Sequence, residues 1–354
     1  MDPIKRLCAA MDEGIDAALI TSGPNRFYFT GMSSSAGTLF ITREKAYFII
    51  DFRYIEKARD TVKNCEVVQQ DDLTEQLGEL ILRHRVKTVG IESRYMSVSA
   101  FEGFSDGLSA EVLRDGRLQS AIDALREVKT PEEIAHLRRA QDLTDEAFRF
   151  ILPYIKPGVS EQDLILELGV YMERHGSENR DINMIAISGQ KTSLPHGRAD
   201  TKKIESGDFV MFDMGFVIGG YHADMTRTVA VGRVSDEQRK VYATVLEAQR
   251  RALDAVRAGV PCAEVDRVAR DYIDGAGYRG CFGHNLGHSV GIEVHEDPRL
   301  GPASKAILKA GGCVTIEPGI YLAGRFGVRI EDMVIVTEDG CDDLTHSDKS
   351  LIIL

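Results

Sequence analysis

Between Phe209 and Val231 the chain reads FVMFDMGFVIGGYHADMTRTVAV, with Asp213 and Asp224 on either side of a Gly219-Gly220 pair. Flanks rich in Val, Phe, Met and Thr about a glycine pair predict a β-hairpin. Side chains alternate faces along a strand, so a two-residue turn near Ile218 to Gly220 sets both aspartates on one face, opposite or one diagonal apart. Carboxylates that close in a half-buried sheet repel one another unless positive charge lies between them. A divalent cation supplies it.

The arrangement recurs. Cys313 to Ile320 (CVTIEPGI) and Gly327 to Val336 (GVRIEDMVIV) read as a second strand pair, carrying Glu317 and Glu331 symmetrically about Gly324. Their even separation again directs both side chains to one face. Two hairpins, each with a carboxylate pair, can hold two metal ions between them. Oxygen ligands with one imidazole suit Mn²⁺, Co²⁺ or Zn²⁺ in a bridged pair about 3.5–4 Å apart.

Length and charge narrow the remaining choices. The 354 residues suffice for two domains of ordinary size. With 43% hydrophobic and 28% charged residues, the composition is that of a soluble globular protein. A net charge of -12 with no long basic run argues against a nucleic-acid partner. Six cysteines (Cys8, Cys65, Cys262, Cys281, Cys313, Cys341) form no CxxC pair, which predicts reduced thiols and a cytoplasmic protein. The N-terminus reads as an amphipathic helix leading into a strand, and neither a signal peptide nor a membrane span is predicted.

Residues 1–125 alternate short apolar and helical stretches. Strands are expected at Asp16–Thr21, Gly37–Thr42, Ala46–Asp51 and Thr88–Glu92, with a helix at Glu75–Arg85, giving an α/β domain without potential ligands. The second domain, 126–354, opens on Thr130-Pro131-Glu132-Glu133, a capping box that starts a helix through Phe148. Further helices should begin at Ser160, at Ser235 (running to about Ala258) and near Cys262. With the acidic hairpins, this predicts an α+β domain of curved antiparallel sheet with helices packed outside it.

Four histidines fall where chemistry can use them. His196 lies in the turn SLPHG, His284 and His288 in GHNLGHSVG, and His295 in GIEVHE. Gly283, Gly287 and Gly291 are expected to let the backbone approach closely there. Gly291 to Glu296 alternates like a strand.

These segments together (GHNLGHSVGIEVHE, DMGFVIGGYHADMTRT, TIEPGIY, VRIEDMV) resemble the motifs of the metallopeptidase family that includes prolidases, proline-specific aminopeptidases and methionine aminopeptidases, which has the pita-bread fold. The first half, with GIDAALITSGPNRFYFTGM and KTPEEIAHLRRA, resembles the creatinase-type N-terminal domain of the proline-specific members. The resemblance implies a dinuclear metal site, with Mn²⁺ or Co²⁺ ahead of Zn²⁺, held by Asp213, Asp224, His288, Glu317 and Glu331. It implies catalytic roles for His196, His295 and Glu317, and substrate binding by His284, Arg299 and Arg329. His222 and His346 are read as non-catalytic. The activity implied is hydrolysis of Xaa-Pro dipeptides by a homodimer. Alternatives are an aminopeptidase acting on longer Xaa-Pro peptides and, in another class, a non-catalytic peptide-binding protein of the same fold.

Overall fold

The computed structural model describes residues 2–178 and 184–354, and the chain divides into two compact units, Met1–Arg126 and Glu127–Leu354. The first unit holds a six-stranded mixed sheet in the order β4-β3-β2-β1-β5-β6. Its strands are β1 (Ala17–Ile20), β2 (Thr38–Thr42), β3 (Ala46–Ile50), β4 (Glu66–Gln69), β5 (Thr88–Ile91) and β6 (Glu111–Leu113). β1, β2 and β3 are buried along their whole length, as strands covered on both faces must be.

In the second unit the described strands pair antiparallel, and one isolated bridge, Ala230 with Ile353, is parallel. β7 (Ile185–Ser188), β8 (Phe209–Met214) and β11 (Met225–Ala230) form one sheet, and β9 (Val217–Ile218) pairs with β10 (Tyr221–His222). A second sheet runs β13-β12-β14-β17-β18, from β12 (Gly287–Ser289), β13 (Glu296–Leu300), β14 (Cys313–Ile316), β17 (Asp332–Val336) and β18 (Cys341–Asp343). β15 (Gly319–Leu322) pairs with β16 (Phe326–Arg329).

Both acidic hairpins form. In the first, Asp213 pairs with Thr226 and Ile218 with Tyr221, one continuous register that leaves Gly219 and Gly220 as the turn. Both glycines have positive φ (58° and 76°), the geometry that matches the strand twist. Glu178 fixes the tip, its two oxygens each accepting a backbone N–H, from Gly219 and Gly220, at 2.8 Å. Asp224 therefore lies on the face of Asp213, one diagonal away.

The second hairpin also keeps one register, from Cys313↔Ile335 to Leu322↔Phe326, but its ladder breaks at Glu317 and Glu331. Pro318 has no N–H to give. The freed backbone turns outward: Glu331 N donates to Thr226 O (3.1 Å) and Glu317 N to Leu286 O (2.8 Å). Breaking the ladder at the glutamates thus ties this hairpin both to β11 and to the chain entering β12.

Helices cover the sheets in two pairs. Pro131–Ile151 and Glu161–Arg174 contribute Leu137, Phe148, Leu164 and Leu168 to a core with Phe212, Met225 and Met333. Asp236–Ala255 and Cys262–Ile273 contribute Val241, Val245, Val265 and Ile273 to another with Leu286, Ile316 and Val334. Capping boxes open three of these helices, at Thr130, Ser160 and Ser235. The helix from Ser235 stops at Ala255, short of the expected Ala258, because the following backbone bonds elsewhere: Ala258 N to Thr337 O and Gly259 N to Leu308 O, both 2.9 Å.

Candidate metal centre

Asp213 (β8), Asp224 (before β11), His288 (β12), Glu317 and Glu331 (the two ladder breaks) converge on one cavity of about 860 Å³. His196, His284, His295, Arg299 and Arg329 line the same cavity. All ten residues singled out by sequence thus come together. Asp224, His288 and Glu331 are buried, and each offers a ligand atom within 4.8 Å of the others. Glu317 adds an oxygen 3.4 Å from His288 Nε2.

The imidazole of His288 is oriented by the backbone. Its Nδ1 lies 3.1 Å from Ser289 O and must carry the proton to bond there, which leaves a lone pair on Nε2. That lone pair faces Asp224 Oδ2 at 3.6 Å and Glu317 Oε1 at 3.4 Å. Burial, with His295 beside it, pushes this imidazole down to about 3, so it stays neutral. Asp224 and Glu317 are both driven well above the carboxylate range by burial and by Glu331. Glu331 rises to about 8, through burial and Asp213. Buried carboxylates and a neutral imidazole turned on one point form a donor set that a divalent cation satisfies and that little else does.

Arg329 is the cationic neighbour. Its Nη2 meets Asp213 Oδ2 at 2.5 Å, Nε donates to Thr226 Oγ1 at 2.9 Å, and Nη1 reaches Tyr321 OH (2.9 Å) and Pro195 O (3.1 Å). Burial works against its charge, yet Tyr321 and the surrounding carboxylates hold it well above its ordinary value. Thr226 Oγ1 in turn donates to Glu331 Oε2 at 2.7 Å. His284 is occupied at both nitrogens, Nδ1 on Asn285 O (2.8 Å) and Nε2 on Tyr321 OH (2.9 Å). Since a carbonyl can only accept, Nδ1 is the donor and Nε2 receives the tyrosine proton. Burial and Arg329 lower His284 to about 4.

His295 and His196 are open to the cavity. The His295 ring packs edge-on against His288, with centroids 4.4 Å apart, and burial with Arg299 lowers its pKa. Arg299 is the cross-strand partner of His288, so it shares that face. The expected strand at Gly291–Glu296 is corrected: residues 291–295 form a bend, and β13 begins only at Glu296. The cause is Glu296, whose buried carboxylate accepts from Glu293 N and pairs with Lys129 Nζ, both at 3.2 Å, so the loop wraps round it. Gly287 and Gly291 are crowded as expected, but a Cβ at Gly283 would meet nothing within 4 Å.

Tyr321 and Thr226 are not among the residues singled out by sequence. Their neighbours in TIEPGIY and DMTRT are the only signal: Arg329 reaches Tyr321 across its own strand pair and Thr226 from the other hairpin.

Comparison with known proteins gives the family. Residues 135–338 match the model of metallopeptidase family M24, and residues 3–128 that of the creatinase/prolidase N-terminal domain. The chain is 35% identical to an Xaa-Pro dipeptidase of Pyrococcus furiosus, over 99% of both chains. Among solved structures it resembles an Xaa-Pro dipeptidase from Bacillus anthracis (40% identity, TM-score 0.94, 99% of each chain). It also resembles an X-Pro aminopeptidase from Thermotoga maritima (33% identity, TM-score 0.90, covering 99% of this chain and 100% of that one).

Proposed function

The chain belongs to metallopeptidase family M24, hydrolases of pita-bread fold that work with divalent metal ions, and from that premise we propose that it is an Xaa-Pro dipeptidase with two ions per chain. Asp213, Asp224, His288, Glu317 and Glu331 would hold them; Mn²⁺ or Co²⁺ suits this set first and Zn²⁺ next. The carrying observation is the His288 Nε2 lone pair turned on the carboxylates of Asp224 and Glu317. When bound, the ions supply a water that loses its proton near neutral pH and positive charge for the scissile carbonyl.

The chain's own residues do the rest. Glu317 takes the proton of the attacking water and returns it to the leaving nitrogen. In an Xaa-Pro bond that nitrogen belongs to the ring and carries no hydrogen before cleavage, so the site must recognise proline by shape. His196, open to the cavity, lies against the substrate there, with His284 behind it held by Tyr321. His295, kept neutral, donates one N–H to the developing oxyanion. Arg299 receives the carboxylate that ends a dipeptide, while Arg329 neutralises and orients Asp213.

The likeness to the Thermotoga aminopeptidase favours a second reading, release of the first residue from longer Xaa-Pro peptides. Turnover of a Gly-Pro dipeptide against a Gly-Pro-extended tripeptide, each by metal-reconstituted protein, separates the two. A preference for the dipeptide is expected; preference for the longer substrate retires the dipeptidase. Absence of metal-dependent hydrolysis with either would leave a binding protein. We place the protein in the cytoplasm, where six free cysteines persist as thiols, and as a homodimer, which sedimentation tests. Among the described residues no helix is long and apolar enough to cross a membrane.

A further inference from the structure

We propose that Glu161 is a positioning residue for His196, bolting together both ends of the segment that carries this imidazole; the assignment rests on the substrate-facing role given to His196 above. Glu161 opens the Glu161–Arg174 helix, and its carboxylate is wholly buried. It has no part in the chemistry of the site. A buried carboxylate needs donors on both oxygens, and here they come from both sides of His196 in one segment. Oε1 accepts from Ser188 N (2.7 Å) and Ser188 Oγ (2.9 Å), at the close of β7. Oε2 accepts from Lys191 Nζ (2.5 Å) and from Asp200 N (3.2 Å), beyond His196.

The backbone repeats the link. Glu161 N donates to Lys202 O (3.1 Å) and Gln162 N to Asp200 O (3.0 Å), while Lys191 also reaches Asp200 Oδ2 at 2.9 Å. Within the segment, Arg329 holds Pro195 O, the residue before His196. His196 is therefore suspended between the metal-site arginine and the Glu161 clamp, and its place over the cavity depends on both.

The test is a double-mutant cycle on the metal-loaded protein with Gly-Pro as substrate, reading kcat, KM and Tm for E161Q, H196A and the pair. Slackening the base by a fraction of an ångström is expected to lower kcat/KM by about ten- to a hundredfold in the native background. In the H196A background the same change should lower it less than about twofold, since the group it positions is gone. An equal loss in both backgrounds, or no loss in the native one, overturns the assignment, for a merely structural carboxylate would act alike in each. Should E161Q fail to fold, K191M, which removes one of the four donors, is carried through the same cycle with the same outcomes. An H196A protein of unimpaired kcat/KM removes the role of His196 itself and this assignment with it, a result distinct from equal losses.

Discussion

Arg329 Nη2 lies 2.5 Å from Asp213 Oδ2, a nearly buried ion pair that joins the two acidic hairpins. The same guanidinium serves Thr226, Tyr321 and Pro195, four acceptors from one planar fork. A lysine keeps the charge but, as a point donor on a flexible stem, cannot meet all four in that geometry. Arg329→Lys should lower kcat/KM by about 10- to 100-fold and lower Tm as well. Steady-state kinetics at saturating metal decide it, and wild-type kcat/KM in the lysine variant would show that charge alone is enough.

Asp213→Asn removes a charge that the proposed ion pair shares. Metal affinity should fall and kcat drop by about two orders of magnitude or more, with the fold intact. Metal content after dialysis and circular dichroism measure the two halves. Full activity in thoroughly chelated protein would defeat the prediction.

Metal-free protein should lose stability as pH rises. The Glu331 carboxyl is pushed up to about 8 from its ordinary 4.5, first by burial and then by Asp213, and Asp224 and Glu317 rise for kindred reasons. Folded protein then binds more protons than unfolded chain between these values, so this stability is whole below pH 4.5 and gone above about 8. His284 and His288 act oppositely, their lowered values weakening the fold as pH falls below 6.5. Between pH 6.5 and 8 the carboxylates therefore set the slope within this cluster. Chelator-treated protein should show a falling Tm across that window, and added divalent metal should abolish the fall. A Tm flat or rising with pH in the chelated sample would contradict the carboxylate account.

Two glycines beside the ligands have no room for a side chain. A Cβ on Gly215 would lie 1.8 Å from Ala223 O, and one on Gly287 would lie 1.9 Å from Thr315 O. Backbone cannot step aside as a flexible side chain does, so Gly215→Ala and Gly287→Ala should each destabilise by about 1–3 kcal/mol or more. Gly283→Ala, where nothing lies within 4 Å, is the control and should be near neutral. Denaturant titration of the three variants compares them; a Gly287→Ala protein as stable as the control would mean β12 can shift away from β14.

Tyr321→Phe removes the hydroxyl that Arg329 bonds and that bonds His284. His284 Nε2 then loses its donor while the rest of the site stays intact. kcat/KM should fall by about tenfold with metal content unchanged, since the hydroxyl reaches the site only through His284 and Arg329. Metal loss in this variant would assign the tyrosine to the metal centre.

Local codes carried much of this protein into its sequence. Alternation along strands and a glycine pair with positive φ put Asp213 and Asp224 on one face, and the capping residues Thr130, Ser160 and Ser235 marked where helices begin. These are short-range effects, fixed by neighbours a few residues away. Only tertiary contact decided that the second hairpin breaks at Glu317 and Glu331, because the partners that take up its freed N–H groups are Leu286 and Thr226. The same holds for the loop wrapped round Glu296, drawn out of strand geometry by Lys129, and for Thr226, given work by Arg329. A hydrogen bond between residues far apart in the chain leaves no periodicity behind, so the two carboxylate pairs were legible from spacing whereas the groups around them appeared only on folding.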